Sequence, residues 1–243
     1  MVIKMNEYIK TNKYDKNFIS ENMMGPNSLK ILEELTADIP LKKGMRVLDL
    51  GCGRGLTSIF LANEFDVEVY AVDLWTSPTD NYNRFKAMGL ENKIIPLCFD
   101  ASKIPFANEY FDAVISVDSY HYFGNNQSYF GDYIAPILKK DGIFAIAIPS
   151  IRQDFTFENI PEEMKPFWEK EAFYMWRSTN WWKNIFEKHL NNFEIKEMEC
   201  FDDAWNDWLS TDNPFAVSDR DMIKADGGRY MNIISVTGNL KQN

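Results

Sequence analysis

A short apolar strand that runs directly into three alternating glycines constrains the fold of this chain more than any other feature. The strand is the segment 46–50, and Gly51, Gly53 and Gly55 follow it. Glycine allows a tight turn and a close approach of the backbone to a ligand, and residues 56–65 then have the pattern of a helix. The sequence therefore predicts a strand, a ligand-binding glycine turn and a helix.

Strands and helices alternate along the rest of the first 150 residues. The predicted helices are 27–38, 80–89 and 129–138, and the predicted strands are 67–73, 94–98, 111–117 and 142–148. Elements that alternate at this spacing predict βαβ units and a mostly parallel sheet.

The composition changes after residue 150, where six of the seven tryptophans lie. The predicted helices there are 161–171, 180–190 and 202–209, and the predicted strands are 193–200 and 230–238. No linker rich in Gly, Ser or Pro separates this part from the rest. We therefore expect one domain over residues 1–243, in which the last third adds a helical cap and two closing strands to the same sheet.

Composition argues against several function classes. The chain has a formal net charge of −10 and no run of Lys and Arg, which disfavours binding to nucleic acid. It has no apolar run of about 18 residues and no signal-peptide core at its N-terminus, so we expect a cytoplasmic protein without a membrane span. Because Cys52, Cys98 and Cys200 form no CxxC pair, neither a disulfide framework nor a metal site is expected.

Spacing and charge around the glycine turn indicate which ligand it binds. The turn reads GxGxG, whereas the dinucleotide fingerprint GxGxxG would need glycine at Leu56. Asp73 ends a strand 22 residues after Gly51, where a carboxylate can accept both hydroxyls of a ribose. Asp49 adds negative charge that disfavours a pyrophosphate and favours a sulfonium ion. This charge favours S-adenosylmethionine over NAD. Asp100 agrees with that prediction, because it is suited to accept a hydrogen bond from an adenine amino group.

The order of these motifs resembles the class I S-adenosylmethionine-dependent methyltransferases. The matching segments are 47–55, 69–73, 100–101, 111–116 and 138–143. The resemblance implies an α/β, Rossmann-like sheet of seven strands that is mostly parallel and has an antiparallel last strand. It also implies S-adenosyl-L-methionine as the cofactor.

The same resemblance implies which residues bind the cofactor. Asp73 would bind the ribose, and Asp100 with Ala101 would hold the edge of the adenine, on which Leu74 packs. Gly51 and Gly53 would face the methionine end. The predicted cofactor-binding set is Asp49, Gly51, Cys52, Gly53, Asp73, Leu74, Asp100, Ala101 and Ser116.

Residues 14–20 are similar to the lid segment of phosphoethanolamine N-methyltransferases. In those enzymes the tyrosine of this segment works with a histidine that lies beyond the fourth strand, so the resemblance implies Tyr14 and His121 as candidate catalytic residues. Counted from Asp118, however, the family's histidine position falls on Tyr122. Either this loop is rearranged or the pair is absent. An imidazole with an ordinary pKa near 6.5 is suited to act as the base.

Four further residues are candidates for binding the methyl acceptor. Aromatic rings attract cations, so Trp176 and Trp181 are candidates for holding an ammonium group, with packing of the cap as the alternative. Arg152, just past the fifth strand, is a candidate for a substrate carboxylate or phosphate, or else it caps the sheet. Tyr120, next to the candidate base, completes this set.

These patterns predict an enzyme that transfers a methyl group from S-adenosylmethionine to a nitrogen or oxygen of a small polar metabolite by in-line displacement. The alternative is a non-catalytic S-adenosylmethionine-binding sensor or regulatory protein. Leu56 disfavours an NAD-dependent oxidoreductase, and segment 117–120 lacks the NPPY-type tetrad of enzymes that methylate nucleic-acid amino groups. A small-molecule acceptor is the expected partner of a monomer or homodimer. The expected parts of the domain are an N-terminal lid (1–26), a cofactor-binding core (27–150), a helical cap (151–192) and the closing strands (193–243).

Overall fold

The seven strands of the computed structural model, which describes residues 7–241 apart from the side chains of residues 171 and 172, form a single sheet. In chain order the strands are β1 (Arg46–Leu50), β2 (Glu68–Val72), β3 (Ile94–Leu97), β4 (Phe111–Val117), β5 (Leu138–Ile151), β6 (Leu190–Glu197) and β7 (Met231–Leu240). Their order across the sheet is β3-β2-β1-β4-β5-β7-β6, and within this sheet β7 runs antiparallel to both of its neighbours. The predicted Rossmann-like sheet with an antiparallel last strand is confirmed.

Eight α-helices of the described residues accompany the sheet. They are α1 (Lys16–Asn22), α2 (Ser28–Leu35), α3 (Leu56–Phe65), α4 (Pro78–Ala87), α5 (Lys170–Phe173), α6 (Thr179–Phe186), α7 (Phe201–Leu209) and α8 (Pro214–Asp226). Buried side chains of α2, α3, α7 and α8 belong to one apolar cluster, and those of α6 belong to a second. None of the helices in residues 7–241 has the length and apolar character that a bilayer span requires.

The interior strand β1 is apolar because both faces of the sheet are covered. Val47, Leu48 and Leu50 are at most 1% exposed. In register, Leu48 lies between Tyr70 of β2 and Val114 of β4. Parallel strands that are buried on both faces consist of near-continuous apolar residues, as here. This packing fixes the carboxyl end of β1, where the glycine turn begins, at the middle of the sheet edge.

The structure contains two helices that the sequence patterns did not predict. α1 begins after Asp15, whose carboxylate accepts a hydrogen bond from the backbone N–H of Phe18 at 2.8 Å. α8 begins after Asn213, with proline as its first residue, and ends at Gly227 in the left-handed conformation. An N-cap Asn before Pro and a glycine at the end are sequence signals for helix boundaries, so α8 was detectable from its caps and not from apolar periodicity.

Two predicted helices differ in the structure because proline interrupts them. Residues 162–167 form turns, and the helix there covers only Lys170–Phe173, since Pro166 cannot continue a helical hydrogen-bond ladder. The helix predicted at 129–138 is a π-helical turn over Phe130–Ile134, followed by a 3-10 turn that contains Pro136. Residues 1–6 of the predicted lid and residues 242–243 lie outside the described residues.

Candidate cofactor site

The glycine turn after β1 packs closely against the loop that follows β4. Gly51 has φ +80°, and a Cβ atom added there would lie 1.8 Å from Oγ of Ser119. Gly55 has φ +82°, and its added Cβ would lie 2.4 Å from the ring of Phe85 on α4. Gly51 is therefore required by the site, whereas Gly55 is required by the packing of α3 against α4.

Asp73, directly after β2, holds the glycine turn in place. Its Oδ2 accepts a hydrogen bond from the backbone N–H of Gly53 at 2.9 Å. Its Oδ1 accepts from the backbone N–H groups of Trp75 and Thr76, each at 2.8 Å. An ionised carboxylate has about four acceptor positions, so Asp73 can accept a further hydrogen bond from a ligand hydroxyl.

Asp49 lies beneath the turn and is fully buried. Its Oδ2 accepts hydrogen bonds from the hydroxyls of Thr57 and Ser58, both at 2.6 Å, while its Oδ1 has no partner among the described residues. Burial, with a smaller contribution from the charge of Asp73, raises the pKa of Asp49 to about 6. A carboxyl group therefore lies directly behind the glycine turn, with one oxygen left unpaired.

Two cavities meet in front of this turn and form one cleft along the carboxyl ends of β1, β2 and β4. The smaller cavity, of about 110 Å³, lies between the glycine turn, the segment Met24–Pro26 and Asp118. The larger, of about 200 Å³, extends past β3. The residues that line both cavities are Gly51, Asp73, Trp75, Ser119 and Tyr122.

The larger cavity has mainly apolar walls. Its lining residues beyond the shared ones are Leu50, Val72, Leu74, Phe99, Asp100, Ala101 and Phe123. The carboxylate of Asp100 accepts hydrogen bonds from the backbone N–H and the hydroxyl of Ser102, both at 2.8 Å, and these bonds hold its pKa below the ordinary value. The carbonyl of Ala101 accepts a hydrogen bond from the Tyr129 hydroxyl at 2.8 Å. The cavity thus combines apolar walls with the carboxylate of Asp100.

The structure brings most of the predicted cofactor residues to this cleft. Gly51, Cys52, Gly53 and Asp73 line the smaller cavity. Two predicted residues support it from behind instead of lining it: Asp49, described above, and Ser116, whose buried hydroxyl donates to the carbonyl of Leu50 at 2.7 Å.

The two residues predicted beyond β4 are buried and do not line the cleft. His121 is 3% exposed, and burial lowers its pKa to about 3. Its Nδ1 has no hydrogen-bond partner among the described residues. Tyr120 is fully buried and packs edge-on against Phe144 and Trp182. An imidazole with so low a pKa stays neutral near pH 7 and is a weak base.

Tyr14 lies on the outer side of α3, away from the cleft. Its ring stacks on Phe60 with 6.0 Å between centroids, and its hydroxyl is 3.5 Å from a carboxylate oxygen of Glu64. It lines a separate cavity of about 330 Å³, together with Lys30 and Asp207. In this structure Tyr14 and His121 are therefore not brought together at the cleft.

The predicted acceptor-binding residues of the last third also have other contacts. The Arg152 guanidinium donates to a carboxylate oxygen of Glu197 at 3.1 and 3.2 Å and to the carbonyls of Gly228 and Met231 at 2.9 and 2.7 Å. It thereby joins the ends of β5 and β6 to the start of β7. These contacts agree with the second of the two predicted roles, in which Arg152 caps the sheet and does not bind a substrate.

The two predicted tryptophans of the cap pack against neighbouring side chains. The Trp176 ring lies 5.7 Å from that of Trp168. The Trp181 ring lies 5.0 Å from the guanidinium of Arg177 and 4.8 Å from the ring of Trp182. Neither Trp176 nor Trp181 lines the two cavities of the cleft.

Sequence reasoning missed several residues that do line the cleft. Asp118 follows β4 directly and adopts φ +52°, a conformation that is uncommon outside glycine and marks strained positions near functional sites. Trp75 and Tyr122 pack edge to face, with 5.4 Å between their ring centroids, and both line the two cavities. The position of Asp118 at the carboxyl end of a parallel strand was the available signal.

The sequence of the chain is similar to that of known methyltransferases. Residues 48–146 match the family model described as "Methyltransferase domain". Phosphoethanolamine N-methyltransferase 3 of Arabidopsis thaliana is 29% identical over 107 residues, which cover 44% of this chain and 21% of that protein. The 27-O-demethylrifamycin SV methyltransferase of Amycolatopsis mediterranei (strain S699) is 28% identical over 94 residues, which cover 38% of this chain and 35% of that protein. The chain thus matches only about a fifth to a third of the length of these relatives.

A solved structure extends the likeness of the fold to almost the whole chain. Phosphoethanolamine N-methyltransferase 2 of Haemonchus contortus, in complex with phosphomonomethylethanolamine and S-adenosylhomocysteine, superposes with a TM-score of 0.71. The alignment covers 99% of this chain and 61% of that one at 18% identity, a level at which it establishes the fold alone. Residues 48–146 therefore match a methyltransferase domain, and the structural superposition extends the same fold over almost the whole chain.

Proposed function

We propose that this chain binds S-adenosylmethionine in the cleft and transfers its methyl group to a nitrogen or oxygen of a small polar metabolite. The observation that carries this proposal is the position of Asp73. It lies where the two cavities meet, it orients the glycine turn, and it has acceptor capacity left for a ribose hydroxyl. The relatives named above are methyltransferases, which supports the same activity here.

The residues present fit a sulfonium nucleoside better than a dinucleotide. Among the described residues that line the cleft, Arg54 carries the only fixed positive charge, and its guanidinium donates to the carbonyl of Glu21 at 2.7 Å. Asp49, Asp73 and Asp118 lie beneath or along the cleft. A pyrophosphate would meet uncompensated negative charge there, whereas a sulfonium ion is stabilised by it.

The chain's own contribution to the reaction is chiefly one of positioning. S-adenosylmethionine supplies a methyl group on a positively charged sulfur, which a nucleophile displaces in line. For this chemistry most of the rate comes from holding the two reactants in the correct geometry and excluding water. The predicted lid supports this role, because Met24, Gly25 and Pro26 line the smaller cavity together with the glycine turn.

A non-catalytic S-adenosylmethionine-binding protein is the second candidate. The burial of His121 and the position of Tyr14 outside the cleft favour it, because neither predicted catalytic residue meets the cleft. We assign no step of methyl transfer to either residue. Both candidate functions require cofactor binding, so only a measurement of methylated product distinguishes the enzyme from the non-catalytic protein.

The test is methyl incorporation from S-adenosylmethionine labelled at the methyl group. The whole chain is incubated with the small-molecule fraction of a cell extract, and labelled products are separated by mass. We expect at least one labelled small molecule that the Asp73→Ala variant fails to form. Cofactor binding without any labelled product would instead support the non-catalytic alternative.

A further inference from the structure

Asp118 lies at the lid end of the cleft, and the charge of a second acidic residue, Asp219, acts on it. The Asp118 side chain lines the smaller cavity, and its Oδ2 would lie 2.6 Å from a Cβ atom added to Gly25 of the lid. Burial raises the pKa values of Asp118 and Tyr122, and the charge of Asp219 on α8 adds to both shifts. Burial and this charge together raise the pKa of Asp118 to about 7.

The cationic side chains of Arg220 and Lys30 bind groups other than Asp118 and Asp219. Arg220, next to Asp219 in the chain, donates its guanidinium hydrogens to the carbonyls of Leu209 and Thr211, both at 2.8 Å. Lys30 pairs with Asp207 at 2.7 Å. Asp219 itself accepts a hydrogen bond from Nε1 of Trp208 at 2.8 Å, and no ion pair to Asp118 or Asp219 is present among residues 7–241. A carboxyl group that lines the cleft, with the charge of a second one acting on it and no neutralising cation, favours a cationic ligand.

Two aromatic rings line the junction of the two cavities. Tyr122 is 48% exposed and Trp75 is 70% exposed, and their rings pack edge to face at 5.4 Å. Exposed aromatic faces attract ammonium groups, most strongly when water is excluded. This pair, and not Trp176 and Trp181, is therefore placed to contact a cation in the cleft.

We infer that the methyl acceptor is an unphosphorylated amine, bound as its ammonium ion by Asp118 with the charge of Asp219 behind it. This inference rests on the proposed function. A phosphorylated amine, such as the phosphomonomethylethanolamine bound to the Haemonchus contortus protein, needs cations that the described lining of this cleft supplies only through Arg54. The charge at Asp118 and Asp219 therefore selects against a phosphate ester.

The same carboxylate is suited to prepare the amine for reaction. An ammonium nitrogen has no free electron pair and must first lose one proton. Asp118 accepts that proton on a carboxylate oxygen, which leaves a neutral amine with its electron pair and a neutral carboxyl group. A pKa near neutrality allows Asp118 to take up the proton and later release it to solvent.

The experiment compares three probes of equal chain length on the protein saturated with S-adenosylhomocysteine: n-butylammonium, n-butanol and n-butyl phosphate. Calorimetric titration measures the binding of each probe. We expect n-butylammonium to bind most tightly, and its affinity to fall by about tenfold in Asp118→Asn and to fall measurably in Asp219→Asn, as expected for loss of a partly shielded ion pair. Asparagine tolerates positive φ, so Asp118→Asn keeps the backbone of the loop.

Asp221→Asn is the matched control, because Asp221 is an exposed residue of the same helix. Its affinity for n-butylammonium should equal that of the wild type. The inference is overturned if n-butyl phosphate or n-butanol binds as well as n-butylammonium, or if Asp118→Asn leaves ammonium binding unchanged. It is also overturned if n-butylammonium binds only in the absence of S-adenosylhomocysteine, because the carboxylates would then hold the cofactor's own ammonium group. Failure of S-adenosylhomocysteine itself to bind would instead count against the proposed function.

Discussion

The carboxylate of Asp73 accepts a hydrogen bond from the backbone N–H of Gly53 at 2.9 Å, which ties the end of β2 to the glycine turn after β1. This bond gives Asp73 two tasks, since the same carboxyl group shapes the turn and faces the junction of the two cavities. A residue that both builds and lines a cleft is a sensitive place to test what the cleft binds.

Replacing Asp73 by alanine is expected to weaken binding of S-adenosylhomocysteine by about 1–3 kcal/mol, because a ribose hydroxyl and the N–H of Gly53 both lose an acceptor. Calorimetric titration measures the change. Asp132→Ala serves as the control, because Asp132 is exposed and lines neither cavity, and its affinity should match that of the wild type. Equal affinities for Asp73→Ala and wild type would show that the ribose lies elsewhere.

Gly51→Ala should abolish cofactor binding, because its Cβ would lie 1.8 Å from Oγ of Ser119. Gly44→Ala is the matched control: Gly44 has a similar φ of +78°, but its added Cβ meets no atom within 4 Å. The control should lose about 1–2 kcal/mol of unfolding free energy from backbone strain alone and keep its cofactor affinity.

A second substitution tests whether that contact is the cause. Ser119→Gly removes both side-chain atoms near the added Cβ and should restore part of the binding that Gly51→Ala loses. Urea unfolding of the single and double variants measures the loss of stability that strain causes. Calorimetry of the same variants measures the loss of cofactor affinity. Normal cofactor binding by Gly51→Ala alone would contradict the position of the ligand beside this turn.

His121 should make the protein less stable in mild acid. Burial lowers its pKa to about 3, whereas in the unfolded chain the pKa is near 6.5, so the unfolded state binds more protons between these two pH values. The free energy of unfolding should therefore fall as the pH falls through that window, by about 2 kcal/mol at pH 5 relative to pH 8 from this residue.

His121→Phe isolates this contribution, because the buried carboxyl groups with raised pKa values are common to both proteins. Urea unfolding at the two pH values should show a smaller loss of stability in the variant. An identical pH dependence of the two proteins would mean that His121 is accessible to protons in the folded state.

Tyr14→Phe should leave both methyl transfer and cofactor affinity within about twofold of the wild type, because the hydroxyl makes one long contact of 3.5 Å with Glu64 and lies outside the cleft. Tyr14→Ala should instead destabilise the fold, since it removes the ring that stacks on Phe60. Turnover and thermal unfolding check the two variants. A large loss of turnover in Tyr14→Phe with unchanged stability would show that the Tyr14 hydroxyl takes part in methyl transfer.

Local patterns in the sequence predicted the parts of this molecule that depend on neighbours in the chain. The apolar run of β1, the glycines after it and the acid at the end of β2 are each specified within a few residues. Because the carboxyl ends of parallel strands meet at one edge of the sheet, these local features also placed Gly51 and Asp73 in the same cleft.

Burial and long-range contacts could not be predicted in this way. His121 looked like a loop residue with an ordinary pKa, but the packing around the turn after β4 encloses it. Met24 and Asp118 wall the same cavity although 94 residues separate them in the chain. Asp219 lies on α8, a helix whose signals are its caps and not its apolar periodicity, so its approach to Asp118 was visible only in the folded chain.

Calorimetric titration of the wild-type chain with S-adenosylhomocysteine, and separately with NAD⁺, tests the central claim most directly. We expect micromolar-range binding of S-adenosylhomocysteine, weakened in Asp73→Ala, and no heat of binding with NAD⁺. Binding of NAD⁺ with no heat from S-adenosylhomocysteine would contradict it.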